Sequence, residues 1–377
     1  MEKTLFLPHE LIIQILLRLP VKSLIRFKCV CKLWFSIISD PQFAKSHFQL
    51  TTHTHRFMCM SISSPTFRSI DFERLLNNDL NNDPNNDPSS FNINFSLPES
   101  DFDYLIKGSC RGFIFMFHHE NFYLWNPCTG FKKEIPLSPF ASKLGADRYN
   151  HFDGFGYDQS RDDYLIVVMS PVSTAANRYE YDELSDDYQV SLHLEFFSFR
   201  NNTWKEIEGN DFPYTIVDSQ WWLLNGAIHW FSNDVRMNAI VVFDLTERKL
   251  LDIKLPDGFN LVPDCCDLWV FGEFLSLWSM DYFNGRVEIW VMKEYKVHSS
   301  WTKTLVLPLY PVANHYLYPM CCTKNGDIIG RNGSSRLVKY NDKGEVLGQR
   351  SFSNSPSEAV VMYTESLLSL PGDNKQV

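Results

Sequence analysis

Beyond residue 90 the chain is punctuated at a nearly constant interval, and that interval constrains the fold more than any single motif. Short apolar runs end in polar turns. Phe122 to Trp125 stops at Asn126, Leu194 to Phe199 at Arg200, and Ala239 to Phe243 at Asp244. Val287 to Met292 stops at Lys293, and Arg336 to Tyr340 at Asn341. Turn starts at 126, 200, 244, 293 and 341 are spaced by 74, 44, 49 and 48 residues. The long first interval holds an acidic, Tyr-rich stretch, Pro171 to Gln189, read as an insertion. Setting aside about twenty-five residues for it restores a period near 48, within the roughly 40–50 residues of kelch and WD repeats. Such a period in a chain of short strands implies an all-β propeller with blades of about four strands. We count about six blades. The first combines residues 54–72 with a closing strand from 359–370, so that no sheet keeps a raw edge. A pair of β-sandwiches is the alternative architecture for so many short strands.

Composition supports strands with a well-filled interior. Aromatic residues make up 15% of the chain, with 30 Phe, 16 Tyr and 10 Trp, and aromatics favour half-buried pleated surfaces. Trp221, Trp222, Trp230, Trp269, Trp278 and Trp290 are therefore read as core fillers and not as a ligand cage. Residues 77–90, NNDLNNDPNNDPSS, are polar, repetitive and proline-punctuated, the composition of a disordered surface loop.

The first fifty residues follow a different period. Pro8 suits a first helical turn, where its missing N–H costs nothing, and Glu10 lies near the positive end of that helix. Apolar residues at 11, 12, 15, 16 and 19 have helical spacing. Ile13 and Leu17 extend the apolar surface around the other side, and Pro20 is expected to stop the helix. A second helix is expected over about 21–28 and a third from about Val30 to Ser39, broken by Asp40-Pro41. Phe43 to Phe48 add one more turn. A module this small cannot bury all these side chains alone. Its spare face must pack on the chain's own β region or on another protein.

Charge decides between two partners for that face. Residues 1–50 carry seven Lys/Arg against three Asp/Glu, and the remaining 327 carry 28 against 42. Lys22, Arg26, Lys28 and Lys32 would suit a helix-turn-helix, but the acidic remainder of the chain would be repelled by phosphate. No nucleic-acid partner is expected; a basic head suits an acidic protein.

No constellation for catalysis or metal binding emerges. His53, His55, His118 and His119 lack a carboxylate or Cys at ligand spacing. Asp162-Asp163 and Asp186-Asp187 are adjacent carboxylates, which on a strand point to opposite faces. Cys265-Cys266 and Cys321-Cys322 have no basic neighbour to lower a thiol pKa. Nine scattered cysteines without a C-x-x-C pair suggest reduced thiols in the cytoplasm or nucleus. No signal peptide and no run of eighteen apolar residues is found, so no membrane partner is expected, and no metal or cofactor either.

Leu7-Pro8-His9-Glu10-Leu11, Ile15-Leu16-Leu17-Arg18-Leu19-Pro20 and Val30-Cys31-Lys32-x-Trp34 resemble the F-box. The remainder is similar to the plant type 1 F-box-associated, kelch-like domain. The carriers are Gly108-Ser-Cys-Arg-Gly112, Leu124-Trp-Asn-Pro127, Gly154-Phe-Gly-Tyr-Asp158, Asp162-Asp-Tyr164 and Gly226-Ala-Ile-His-Trp230. Phe243-Asp-Leu245 and Glu288-Ile-Trp-Val-Met-Lys-Glu-Tyr295, followed by Ser300-Trp-Thr-Lys303, complete them. Phe113, Leu165 and Lys296 depart from the family's Leu, Lys and Gly. F-box/kelch-repeat and S-locus F-box-like proteins share this arrangement. The resemblance implies an F-box over 1–50 and an F-box-associated β-propeller over 51–377, with an inserted loop at 172–190.

It further implies a non-catalytic substrate receptor of a Skp-cullin-F-box ubiquitin ligase. A Skp-family adaptor, and through it cullin and RING subunits, would be the partners, together with an unknown protein substrate. Leu7, Pro8, Leu11, Ile15, Leu16, Leu19, Pro20, Leu24, Val30, Cys31 and Trp34 would form or support the adaptor face. Arg178, Tyr179, Tyr181 and Tyr188, in the insertion, are the candidate substrate contacts, since Tyr and Arg often anchor interfaces. The competing readings are a ligase-independent protein- or glycan-binding propeller and a propeller enzyme.

Overall fold

A computed structural model describes residues 7–50, 55–61, 67–71, 90–93, 104–118, 121–143, 152–173, 190–207, 221–231 and 239–259. It also describes 265–281, 283–308, 317–323, 325–332, 336–351 and 358–372. Four helices come first: α1 (His9–Leu16), α2 (Val21–Phe27), α3 (Lys32–Ile38) and α4 (Pro41–Leu50). The two Leu-Pro elements do the same local work. Pro8 and Pro20 are N-caps, at φ −55°, ψ 144° and φ −59°, ψ 147°, where a residue without an N–H loses no bond. Pro20 thus opens α2 and does not stop α1. That helix ends four residues earlier at Leu16 and unwinds through Arg18 N–H to Ile15 O and Leu19 N–H to Leu16 O.

Asp40-Pro41 likewise begins a helix as well as ending one. Asp40 Oδ1 accepts from Gln42 N at 2.9 Å, and Pro41 is the first residue of the ten-residue α4. This is longer than the single turn the sequence suggests. The start of α3 falls at Lys32 and not Val30, because the Cys31 sulfur caps it, accepting from Trp34 N at 3.5 Å.

The rest is a six-bladed propeller of four-stranded antiparallel sheets. Blade 1 joins β1 (His55–Ser61), β2 (Phe67–Asp71) and β3 (Ser90–Ile93) to β24 (Glu358–Thr364). Blade 2 is β4 (Leu105–Cys110), β5 (Phe113–His118), β6 (Asn121–Trp125) and β7 (Lys132–Pro136). The helix α5 (Pro139–Lys143) leads to blade 3: β8 (Phe152–Asp158), β9 (Asp163–Ser173), β10 (Val190–Ser198) and β11 (Thr203–Ile207). Blade 4 comprises β12 (Trp222–Leu224), β13 (Ala227–Phe231), β14 (Ala239–Asp244) and β15 (Lys249–Lys254). Blade 5 has β16 (Cys266–Phe271), β17 (Phe274–Asp281), β18 (Arg286–Met292) and β19 (Trp301–Pro308). Blade 6 has β20 (Leu317–Cys322), β21 (Ile328–Asn332), β22 (Arg336–Tyr340) and β23 (Val346–Ser351).

The punctuation at 126, 200, 244, 293 and 341 marks one recurring position, the turn from third to fourth strand in blades 2 to 6. The long first interval arises because most of the Pro171–Gln189 stretch, residues 174–189, connects β9 to β10 of blade 3. Strand pairing there continues to Ser173 opposite Val190, so Pro171 to Ser173, the start of the expected insertion, belong to the sheet.

The ring closes as the sequence suggests, with two amendments. β24 pairs along β1 from Thr364 opposite His55 to Glu358 opposite Ser61. Residues 365–370 are not strand; they leave the sheet, and Ser366, Leu367, Leu368 and Leu370 are buried. The fourth strand of blade 1 is β3, whose Ser90 lies opposite Ile70. The expected disordered stretch therefore stops short of Ser90, and its residues 77–89 lie outside the described residues. Apolar clusters fill every interface between blades. Phe57, Cys59 and Ile70 meet Cys321, Ile329 and Leu337 across the closing junction. Trp221, Trp230, Trp269 and Trp278 are buried; Trp222 and Trp290 are half-buried against the same clusters.

Local geometry accounts for two of the motif glycines and bears on one departure. Gly112 has φ 89°, and a Cβ there would run into the Ser366 side chain. A Cβ on Gly108 would run into the Trp221 ring. Lys296, where the family carries Gly, takes φ 65°, the left-handed region that favours glycine.

Asp158, last residue of the Gly154–Asp158 motif, ties blade 3 to blade 4. Its Oδ2 accepts from Arg248 Nη2 at 2.9 Å and Arg161 Nη1 at 3.0 Å, and its Oδ1 accepts from Ser160. Burial pushes its carboxyl up, but the Ser160 hydroxyl and the two guanidinium groups outweigh that and hold it below the usual carboxylate range. A depressed folded pKa contributes stability above the unfolded value of about 3.9, lost as pH falls through the folded value. Asp158→Asn should therefore lower the melting temperature at pH 7 and flatten its fall below about pH 4. Breaking a buried pair of this kind costs about 3–5 kcal/mol. Thermal melts of both proteins from pH 7 to pH 2.5 check this.

Candidate functional site

The candidate site is the helical module, built from how its apolar residues divide between inside and outside. Leu7, Leu11 and Ile15 are four apart, so they form one stripe along α1 and the residues before it. They are 58%, 50% and 46% exposed. Val30, Leu33 and Phe35, at the turn into α3 and on it, are exposed as well. Exposed large apolar side chains grouped on so small a module mark a docking surface. Pro8, Pro20 and Cys31 are also exposed.

The other expected site residues have different places. Leu16 and Leu24 are fully buried and can act on a partner only by supporting the helices. Leu19 is half-buried. Trp34 is too, with its ring edge-on to Phe27 at 5.3 Å. Leu33 and Phe35 escape the sequence reading because helical spacing assigns the apolar face of α3 to Trp34, Ile37 and Ile38. Their only signal is surplus: apolar residues off the main stripe of a helix with no further core to fill.

The module's second face is covered by the propeller. Leu16, Leu17, Val21, Leu24, Ile37, Ile38, Phe43 and Ala44 belong to one buried cluster with Phe113, Tyr164, Leu165 and the C-terminal Leu367, Leu368 and Leu370. Lys45 of α4 reaches Asp162 Oδ2 at 2.6 Å. The Arg111 guanidinium lies 4.8 Å from the Phe48 ring centroid and 3.8 Å from that of Tyr157. His47 is buried with Nε2 2.8 Å from Leu19 O, and burial lowers its pKa despite that bond. The first of the two fates open to the spare surface, packing on the chain's own β region, is thus realised on this face, and the exposed stripe lies on another.

Topology fixes which end of the propeller the module occupies. Arg111 and Asp162 stand at the turns from first to second strand in blades 2 and 3. β9 starts there at Asp163 and ends at Ser173, so the connection to β10 leaves from the opposite end of the propeller. So does the β17–β18 turn, where Phe283 is fully exposed. Arg178, Tyr179, Tyr181 and Tyr188 lie outside the described residues. Asp162-Asp163 is explained structurally: Asp162 faces Lys45, whereas Asp163 accepts from Ser198 Oγ and Arg200 N. His118 stacks on Tyr104 at 3.8 Å. Cys322 sits in a half-buried strand position that pushes its thiol up to about 11. Among the described residues, no group of three or more His, Cys, Asp or Glu could hold a metal ion, and no helix is long and apolar enough to cross a membrane.

Known proteins match both parts. An F-box-like domain matches residues 4–50, and an F-box associated beta propeller domain matches residues 50–368. An F-box/kelch-repeat protein of Arabidopsis thaliana is 28% identical over 323 residues, covering 80% of this chain and 79% of that one. F-box protein CPR1 of the same plant is 24% identical over 390 residues, covering 97% and 90%. With matches that run through both the helical module and the propeller, the chain belongs to the plant F-box proteins that carry an F-box-associated β-propeller domain.

Proposed function

We propose that this protein is the substrate receptor of a Skp-cullin-F-box ubiquitin ligase. The observation that carries the reading is the exposed stripe of Leu7, Leu11 and Ile15 on an F-box whose other face is already packed on the propeller. That stripe, with Pro8, Pro20, Val30 and Cys31, docks a Skp-family adaptor, and through it cullin and RING subunits. Leu16, Leu19, Leu24 and Trp34 hold it in shape. The propeller end away from the F-box holds the target protein, with the 172–190 insertion and Phe283 as its contacts.

No residue of this chain makes or breaks a bond. A target lysine amine attacks the ubiquitin thioester on a conjugating enzyme. The C–N isopeptide bond forms, the C–S bond breaks, and the thiol leaves with the amine's proton. Tethering supplies the rate by replacing a bimolecular encounter with one at high effective concentration. Free thiols such as exposed Cys29 and Cys31 fit work in the cytoplasm or nucleus.

The test is co-purification of the full chain with a Skp-family adaptor. The full chain is needed because the module's core is continuous with the propeller's, so residues 1–50 alone leave that core open. A stoichiometric complex is expected. If the folded chain binds no such adaptor, it is a ligase-independent binding propeller. Proximity labelling with the full chain carrying Leu11→Asp and Ile15→Asp, which alter exposed positions only, identifies the target.

A further inference from the structure

The turns from first to second strand provide an internal comparison within the propeller. In blades 4, 5 and 6 the left-handed positions are filled by Asn225-Gly226, Gly272 and Gly326, at φ 50°, 71°, 62° and 86°. These are residues that tolerate that conformation. In blade 2 the same kind of turn carries Arg111 at φ 50° followed by Gly112 at φ 89°, and in blade 3 it carries Asp162 at φ 50°. Asp shares the tolerance of Asn for that conformation, whereas an Arg side chain is strained there and persists where its surroundings demand it. Blades 2 and 3 are the two that lie under α4. Arg111 is held between Phe48 of the F-box and Tyr157 of the propeller. Asp162 is the hub of Lys45 at 2.6 Å, the Tyr157 hydroxyl at 2.6 Å and Arg200 Nη2 at 3.1 Å.

A third layer comes from the far end of the chain. After β24 the backbone passes beneath Asn126, whose Nδ2 donates to Ser366 O at 3.1 Å and Leu368 O at 3.3 Å. Leu367, Leu368 and Leu370 then enter the cluster that also holds Leu16, Leu24 and Phe43 of the F-box.

We infer that Arg111 and Asp162 are positioning residues. Together with the floor of residues 365–370, they lock the F-box at one orientation on blades 2 and 3, so that the adaptor face and the distant target-binding end keep a fixed offset. The inference rests on the receptor reading for its consequence, and on the geometry alone for the lock. It predicts that side chains which suit these turns but lack the contacts to Phe48 and Lys45 loosen the F-box without unfolding the propeller.

The test is the double variant Arg111→Asn/Asp162→Asn in the full chain, since Asn fits the left-handed turn as it does at Asn225. Its melting temperature should stay within a few degrees of the wild type. By hydrogen exchange, amides of α4 should exchange at least tenfold faster, with those of β5, β6 and β9 unchanged. Lys45→Arg should keep α4 protected. Unchanged α4 protection in the double variant, or equal loss throughout the propeller, would overturn the lock. With a Skp-family adaptor, cullin–RING subunits and ubiquitin, the lysines of this chain modified by self-ubiquitination should be confined in the wild type and spread in the variant, at adaptor affinity within twofold. An unchanged lysine map despite a loosened α4 overturns the positioning role. Failure of the wild type to bind the adaptor overturns the receptor reading instead, and leaves the exchange result to decide the lock.

Discussion

Ending the chain after Ser357 is expected to abolish the folded protein, although it removes only its last twenty residues. Those residues contain β24, which pairs along the full length of β1 and stands beside β4. They also contain Leu367, Leu368 and Leu370 of the cluster under the F-box. Val361, Tyr363 and the three leucines are all buried, and burying a side chain of this size contributes roughly 1.5–3 kcal/mol. The sum is comparable with the whole stability of a typical domain, about 5–15 kcal/mol. The truncation also leaves β1 as an unpaired edge next to an open ring, a template for aggregation. Limited proteolysis and size-exclusion chromatography should find aggregate or fragments. A truncation that melts cooperatively as a monomer would show that the C-terminus does not close the ring. Deleting residues 77–89 should leave the melting temperature nearly unchanged, since loop length enters stability only logarithmically. The deletion must stop before Ser90, which pairs with Ile70.

The second large effect separates neighbours on α1. Ile15→Asp and Leu11→Asp alter exposed positions and should leave the melting temperature within a degree or two. Each should weaken adaptor binding at least tenfold, since anchors at the centre of an interface are worth about 2 kcal/mol or more. Leu16→Ala, one residue along, empties a fully buried site and should cost about 2–5 kcal/mol of stability. Its binding should fall only as far as the module unfolds. Trp34→Ala should show both losses, because that ring is partly exposed and packs edge-on to Phe27. Calorimetric titration with a Skp-family adaptor, beside thermal melts, separates the cases. Tight binding by Leu11→Asp and Ile15→Asp together would move the adaptor site off this stripe.

The repeating part of this protein is written in local chemistry. The interval near 48 residues was legible because the third-to-fourth-strand turns of blades 2 to 6 reuse local chemistry, an apolar strand followed by Asn126, Arg200, Asp244, Lys293 or Asn341. Turn residues act on their own backbone, so their signal survives without knowledge of the fold. The F-box was legible for the same reason: Pro8 and Pro20 specify helix starts through their own dihedral angles. Which apolar residues face outward depends instead on packing between distant segments. Ile15 and Leu16 are adjacent and chemically alike, yet one is 46% exposed and the other fully buried. Leu16 belongs to a buried cluster that draws in side chains more than three hundred residues away, Leu367, Leu368 and Leu370, and Ile15 does not. The roles of Arg111 and Asp162 were hidden likewise, since each looks like an ordinary charged turn residue until α4 is laid across two blades. Burial and the meeting of faces are properties of contacts between distant segments, and periodicity, which reports only near neighbours, carries no record of them.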